Sequence, residues 1–111
     1  MAFYQYFNGT YCSLDTPLFE SNDLGLIRGY GMFDYFRTYN GVPFRWDDYW
    51  ARFERSALLL KLEIPYSKEE VASVLSELYQ RSGEEEVAYR FLLTGGYAPD
   101  SVHVVQPNFL I

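Results

Sequence analysis

Cysteine is nearly absent: Cys12 stands alone among 111 residues, which excludes an internal disulfide and a cysteine metal cluster. A reducing compartment suits such a chain. Histidine is as scarce, with His103 the only one, and lysine occurs only as Lys61 and Lys68. There is no basic run and the net charge is -6, so the cationic track that neutralises nucleic-acid phosphates is missing. No apolar stretch approaches the ~20 residues needed to span a bilayer. Met1-Ala2-Phe3-Tyr4-Gln5 lacks the basic-then-apolar order of a secretory signal. The expectation is a soluble, cytoplasmic protein with neither a nucleic-acid nor a membrane partner.

Aromatics, by contrast, are plentiful. They make up 20% of the chain within a hydrophobic total of 49%, a bias toward sheet and toward large contact surfaces. The length fits a single domain over 1–111 that buries roughly two-thirds of its unfolded surface without staples. No internal repeat or low-complexity segment occurs.

Two Asn-Gly pairs, Asn8-Gly9 and Asn40-Gly41, predict tight hairpins. The first joins strands at Phe3–Phe7 and Thr10–Ser13, and a loop with Pro17 and Asn22-Asp23 as breakers follows. The second joins Met32–Tyr39 to Val42–Arg45. Alternation puts Phe33, Tyr35, Arg37 and Tyr39 on one face of the longer strand and Met32, Asp34, Phe36 and Thr38 on the other. Charge and aromatics on both faces do not describe a simple half-buried strand, so one face is expected to look into a site.

A first helix opens at Trp46. Trp46, Trp50, Phe53, Ala57 and Leu60 recur at helical spacing and form one apolar stripe. Arg55 points almost opposite that stripe, whereas Arg52 lies on its shoulder beside Tyr49, Ser56 and Leu59. Ser67-Lys68-Glu69-Glu70 is a capping box for a second helix that buries Val71, Val74, Leu75, Leu78 and Tyr79 and stops at Ser82-Gly83. Val87–Thr94 reads as a strand with Arg90 on the face opposite Tyr89, Phe91 and Leu93. A short strand is expected at Val102–Val105. Strands, two helices, then strands give an α+β fold: a mainly antiparallel sheet with two helices packed on one face.

The segment Asp23-Leu24-Gly25-Leu26-Ile27-Arg28-Gly29-Tyr30-Gly31-Met32-Phe33-Asp34 resembles the signature of the class IV aminotransferases. These are the fold-type IV pyridoxal-phosphate enzymes, which include branched-chain and D-amino-acid aminotransferases and aminodeoxychorismate lyase. The resemblance continues through Thr38–Gly41, Arg52–Ala57, Glu63–Ser67 and Tyr89–Gly96 and ends in Pro107–Ile111. It covers nearly the whole chain but only the smaller N-terminal domain of that family.

The resemblance implies that Arg52 binds the phosphate of pyridoxal 5'-phosphate, a task suited to a planar fork of donors. Residue type alone also fits an ordinary edge salt bridge. Phe33 and Tyr35 match positions that line the pocket, with core aromatics as the alternative. Arg90 matches a pocket arginine of the branched-chain enzymes or is a strand-edge charge. Arg28 stands where the family often has an aromatic residue and is assigned to recruiting a substrate carboxylate. Tyr30 replaces a common acidic residue and Asp34 the usual glutamate. The arginine and histidine that grip a carboxylate in D-amino-acid aminotransferases are not evident, with Asp100, Val102 and His103 near their places.

Amino-group transfer needs a lysine that holds the cofactor covalently and moves protons. Neither Lys61 nor Lys68 matches the family's catalytic position, which follows this domain. The expectation is therefore an N-terminal fragment, inactive by itself, of a homodimeric enzyme acting on an amino acid and a 2-keto acid. Its C-terminal domain would then be missing. The alternative is a non-catalytic interaction module that uses an aromatic-rich surface.

Overall fold

Both Asn-Gly pairs turn the chain in the left-handed region, as the hairpins require. Asn8 has φ 48° and Gly9 φ 97°, and Asn40 has φ 53° and Gly41 φ 77°. The computed structural model describes residues 4–97 and 106–111. The first turn joins β1 (Tyr4–Phe7) to β2 (Thr10–Ser13), and the second joins β3 (Gly31–Tyr39) to β4 (Val42–Pro43). The strand expected over Val42–Arg45 is cut short. Pro43 offers no donor, and Arg45 already adopts φ 53° as the residue before the first long helix.

Between the hairpins lies one helical turn, α1 (Leu24–Ile27), inside what the sequence presents as a glycine-bracketed turn. The long helices follow as α2 (Trp46–Leu59) and α3 (Lys68–Ser82). The capping box of α3 is present in full: Ser67 accepts from the Glu70 backbone N–H, and Glu70 accepts from that of Ser67. Two strands complete the fold, β5 (Ala88–Thr94) and β6 (Asn108–Leu110). The strand expected at Val102–Val105 lies outside the described residues, as do Asp100 and His103.

The sheet has six strands in the order β2-β1-β6-β5-β3-β4, with every pairing antiparallel. One face carries α2 and α3. Phe36, Phe91 and Phe109 from the strands meet Phe53 of α2 in a cluster with ring centroids 5.1 to 5.7 Å apart. Trp50, Ala57, Val71, Leu75 and Leu78 close over it. The fold is thus α+β as expected, with one short helix added to the two that cover the sheet.

The other face carries no long helix among the described residues: α1 and Phe19 cover one end of it, over Thr94, Asn108 and Phe7, and the stretch around Phe33, Tyr35 and Arg90 is bare. Strand register aligns Phe7, Leu110, Leu92 and Phe33 in one row across four strands, and Tyr35 opposite Arg90 in the next. Beyond the short β4, the outer flank of β3 has no partner strand among the described residues. No helix among them is long and apolar enough to cross a membrane.

Candidate functional site

The pleat of β3 sorts its side chains between the two faces. Phe36 and Thr38 are buried beneath the helices, and Asp34 shares their side. Phe33, 69% exposed, and Tyr35, 46% exposed, stand on the bare face. Arg90, on the adjoining strand, is exposed on that same face, directly opposite Tyr35 in the antiparallel register.

Arg52 projects from α2 toward β3. Its Nε donates to Asp34 Oδ2 at 2.9 Å, and its Nη2 donates to Asp34 Oδ1, a bidentate ion pair. The guanidinium lies 4.6 Å from the centroid of the Tyr49 ring, one helical turn earlier. The Asp34 hydrogen bond raises the Arg52 pKa above its ordinary value, so the side chain keeps its charge. The shoulder position expected from helical spacing is the one observed, with the Arg52 side chain 51% exposed. Arg55 is exposed on the far side of the stripe.

The site residues inferred from the sequence are therefore not one cluster. Arg52 lies on the helix-covered face of the sheet, while Phe33, Tyr35 and Arg90 lie on the bare one. Strand β3 carries residues of both groups, and its outer flank beyond β4 is unpaired among the described residues. Arg28 is exposed as the cap residue of α1 and has no side-chain partner among the described residues.

The cavities divide in the same way. One, of about 660 Å³, lies beside α2 and the segment after it, where Trp50, Glu54, Leu58 and Lys68 line it. It contains none of the residues above. A smaller one of about 260 Å³ lies beside α1 and is lined by Phe33, Leu92, Leu26 and Phe19. Of the candidate residues, Phe33 lines one of these two cavities.

A buried polar network surrounds Asp23, and sequence reasoning missed it. The Asp23 carboxylate accepts from the Gly25 backbone N–H at 2.7 Å, from Thr94 Oγ1 at 2.8 Å and from Asn108 Nδ2 at 2.5 Å. Asn108 in turn accepts from Asn8 Nδ2, and Asn8 accepts from the Phe109 N–H. Three segments distant in sequence are thereby fixed around α1 and the start of β3. An aspartate two residues before a glycine is a local helix-cap signal, but its partners near the chain ends carry no local signal.

The lysines stand apart from these groups. Lys68 is ion-paired with Asp47, and Lys61 is exposed just after α2 with φ 57°. Lys61 follows Arg52 by nine residues and lies past the C-terminal end of α2. Arg52 is thus a half-exposed guanidinium held by one carboxylate and flanked by one aromatic ring.

A family profile described as Amino-transferase class IV matches residues 31–111. D-alanine aminotransferase of Staphylococcus aureus (strain N315) is 32% identical over 93 residues, which are 84% of this chain and 33% of that protein. Aminodeoxychorismate lyase of Bacillus subtilis (strain 168) is 36% identical over 73 residues, 66% of this chain and 25% of that protein. Among solved structures, the branched-chain amino acid aminotransferase from Escherichia coli superposes with a TM-score of 0.88 at 19% identity, over 99% of this chain and 40% of that one. The branched-chain aminotransferase from the thermophilic archaeon Thermoproteus uzoniensis, solved with norvaline, gives a TM-score of 0.84 at 21% identity, over 99% and 39%. At those identities the structures show a shared fold. The chain spans about a third of the length of the D-alanine aminotransferases it matches.

Proposed function

This chain belongs to the class IV aminotransferases, and from that membership we propose that it is the N-terminal domain of a longer pyridoxal-phosphate enzyme. The enzyme moves an amino group between an amino acid and a 2-keto acid. The lyase reaction of the aminodeoxychorismate type is the nearest variant.

One observation carries the assignment to this site. Arg52 is ion-paired along one edge only, with Asp34, which leaves the edge beside Tyr49 without a carboxylate and half of the side chain exposed to an anion. A phosphate dianion fits that fork and that charge. The residues present suit the phosphate of the cofactor; a covalent anchor would come from outside this chain, since Lys61 and Lys68 lie away from Arg52 and the bare face. When bound, the cofactor supplies an electron-withdrawing ring that stabilises negative charge on the substrate carbon.

The chain's own residues then have separate tasks. Arg52 holds the phosphate and sets where the ring can lie. Phe33 and Tyr35 give an apolar wall that excludes water, and Tyr35 adds a hydroxyl. Arg90, opposite Tyr35, supplies positive charge for a substrate carboxylate, and Arg28 does the same from the α1 cap. A ligand touching both Arg52 and this wall has to lie along the outer flank of β3. The bare part of that face, around Phe33, Tyr35 and Arg90, is the surface left for the rest of the longer chain and for a second copy in a homodimer. The fragment alone is inactive in this account.

Reading the coding sequence past Ile111 and expressing the longer product tests the proposal. That product should take up pyridoxal phosphate with a visible absorbance band and transfer amino groups to a keto acid. A full-length protein that never takes up the cofactor overturns it.

A further inference from the structure

The carboxylate that holds Arg52 is itself held. Asp34 is 11% exposed at its side chain, and its Oδ1 also accepts the backbone N–H of Tyr35 at 2.8 Å. The acceptor is thus tied to the strand, and the strand is tied to β5 over seven residue pairs. On the other side, Tyr49 presents its ring to the guanidinium face.

A guanidinium has two edges able to make paired hydrogen bonds: one through Nε and one Nη, the other through both Nη atoms. Asp34 takes the first edge entirely, through Nε and Nη2. The second edge, Nη1 with the remaining hydrogen of Nη2, is taken by no carboxylate among the described residues; the other group beside the guanidinium is the Tyr49 side chain. An arginine restrained at one edge and one face has little rotational freedom left to lose when an anion arrives.

We propose that Asp34 is a positioning residue for anion binding: it occupies the inner edge of Arg52 so that the outer edge is fixed for a phosphoryl group. The inference rests on Arg52 being the phosphate arginine. Its consequence runs against simple electrostatics. A carboxylate near an anion site repels the anion, so its removal should strengthen binding if charge alone mattered. If orientation dominates, its removal weakens binding.

Inorganic phosphate titrated into the full chain, followed by NMR of the arginine side-chain nitrogens, separates these outcomes. In the unaltered protein the Nη resonances of Arg52 should shift with phosphate while its Nε–H stays in place. Movement of Nε–H to a phosphate-bonded position would mean that phosphate displaces Asp34, which overturns the proposal without any variant. Asp34→Asn should weaken phosphate binding about tenfold, the low end for loss of an orienting partner. Asp34→Glu, which keeps an acceptor pair, should stay within about twofold of wild type. Arg52→Ala should abolish the response. If Arg52→Ala binds phosphate as well as wild type, the phosphate assignment fails and the role of Asp34 fails with it. If Arg52→Ala loses binding but Asp34→Asn keeps or improves it, only the positioning role is overturned. Should Asp34→Asn lose its fold by circular dichroism, the Nε–H observation in the unaltered protein still decides.

Discussion

Asp23 and Asn108, 85 residues apart in sequence, share a buried hydrogen bond from the asparagine Nδ2 to the aspartate Oδ2. The same carboxylate caps α1 and accepts from Thr94, so one side chain joins the loop before β3 to the ends of β5 and β6. Asp23 is wholly buried. Asp23→Ala would therefore strand the buried donors of Thr94 and Asn108, each worth about 1–3 kcal/mol when left unpaired, and uncap the part-buried Gly25 N–H. Allowing for partial rearrangement, the variant should lose about 3 kcal/mol of stability by urea unfolding. A loss below about 0.5 kcal/mol, the usual size for a surface substitution, would show that the network is not what fixes this corner.

Neighbouring phenylalanines on β3 should behave in opposite ways. Phe36 is 1% exposed inside the aromatic cluster, and Phe33 is 69% exposed on the bare face. Phe36→Ala should cost about 3–5 kcal/mol, the range for a buried aromatic. Phe33→Ala should change the stability of this chain by no more than about 0.5 kcal/mol while reducing kcat/KM of the full-length enzyme. Paired urea melts and steady-state kinetics check both. Similar stability losses in the two variants would contradict the assignment of faces.

Alkaline pH should unfold the domain through its buried tyrosines. Burial, as the first cause, pushes the Tyr6 and Tyr89 hydroxyls up from 10.0 to about 12, with the neighbouring Tyr66 adding to the effect on Tyr6. Raised values mean that the folded state keeps these protons longer than the unfolded chain does. Their contribution is complete below about pH 10 and is lost as pH climbs from about 10 to about 12. Stability measured across that window should fall more steeply in wild type than in a Tyr6→Phe, Tyr89→Phe double variant. Identical slopes would refute the attribution.

Much of this fold could be read before any coordinates. The Asn-Gly turns, the stripe of α2, the capping box of α3 and the alternation of β3 are local patterns, and local patterns survive into the structure. Helical spacing also put Arg52 on the shoulder of its stripe and Arg55 outside it. Hidden were the features made by contacts between distant segments. Asp34 and Arg52 lie 18 residues apart, and nothing local in either announces the pair. The Asp23 network joins segments near both ends of the chain. Helix α1 escaped notice because a four-residue helix has no room for an apolar period, and its glycine reads as a turn. The division of candidate residues between two faces follows from the strand pleat. That the outer flank of β3 is open beyond Thr38 follows from the brevity of β4, which no local pattern sets.

The central claim is that Arg52 is the phosphate arginine, and equilibrium binding of pyridoxal phosphate to the full-length protein tests it most directly. Arg52→Ala should weaken binding at least about tenfold, as the loss of a charge-assisted hydrogen-bonded pair implies, while Arg55→Ala should bind as wild type does. Equal losses in the two variants, or none in either, would contradict the account.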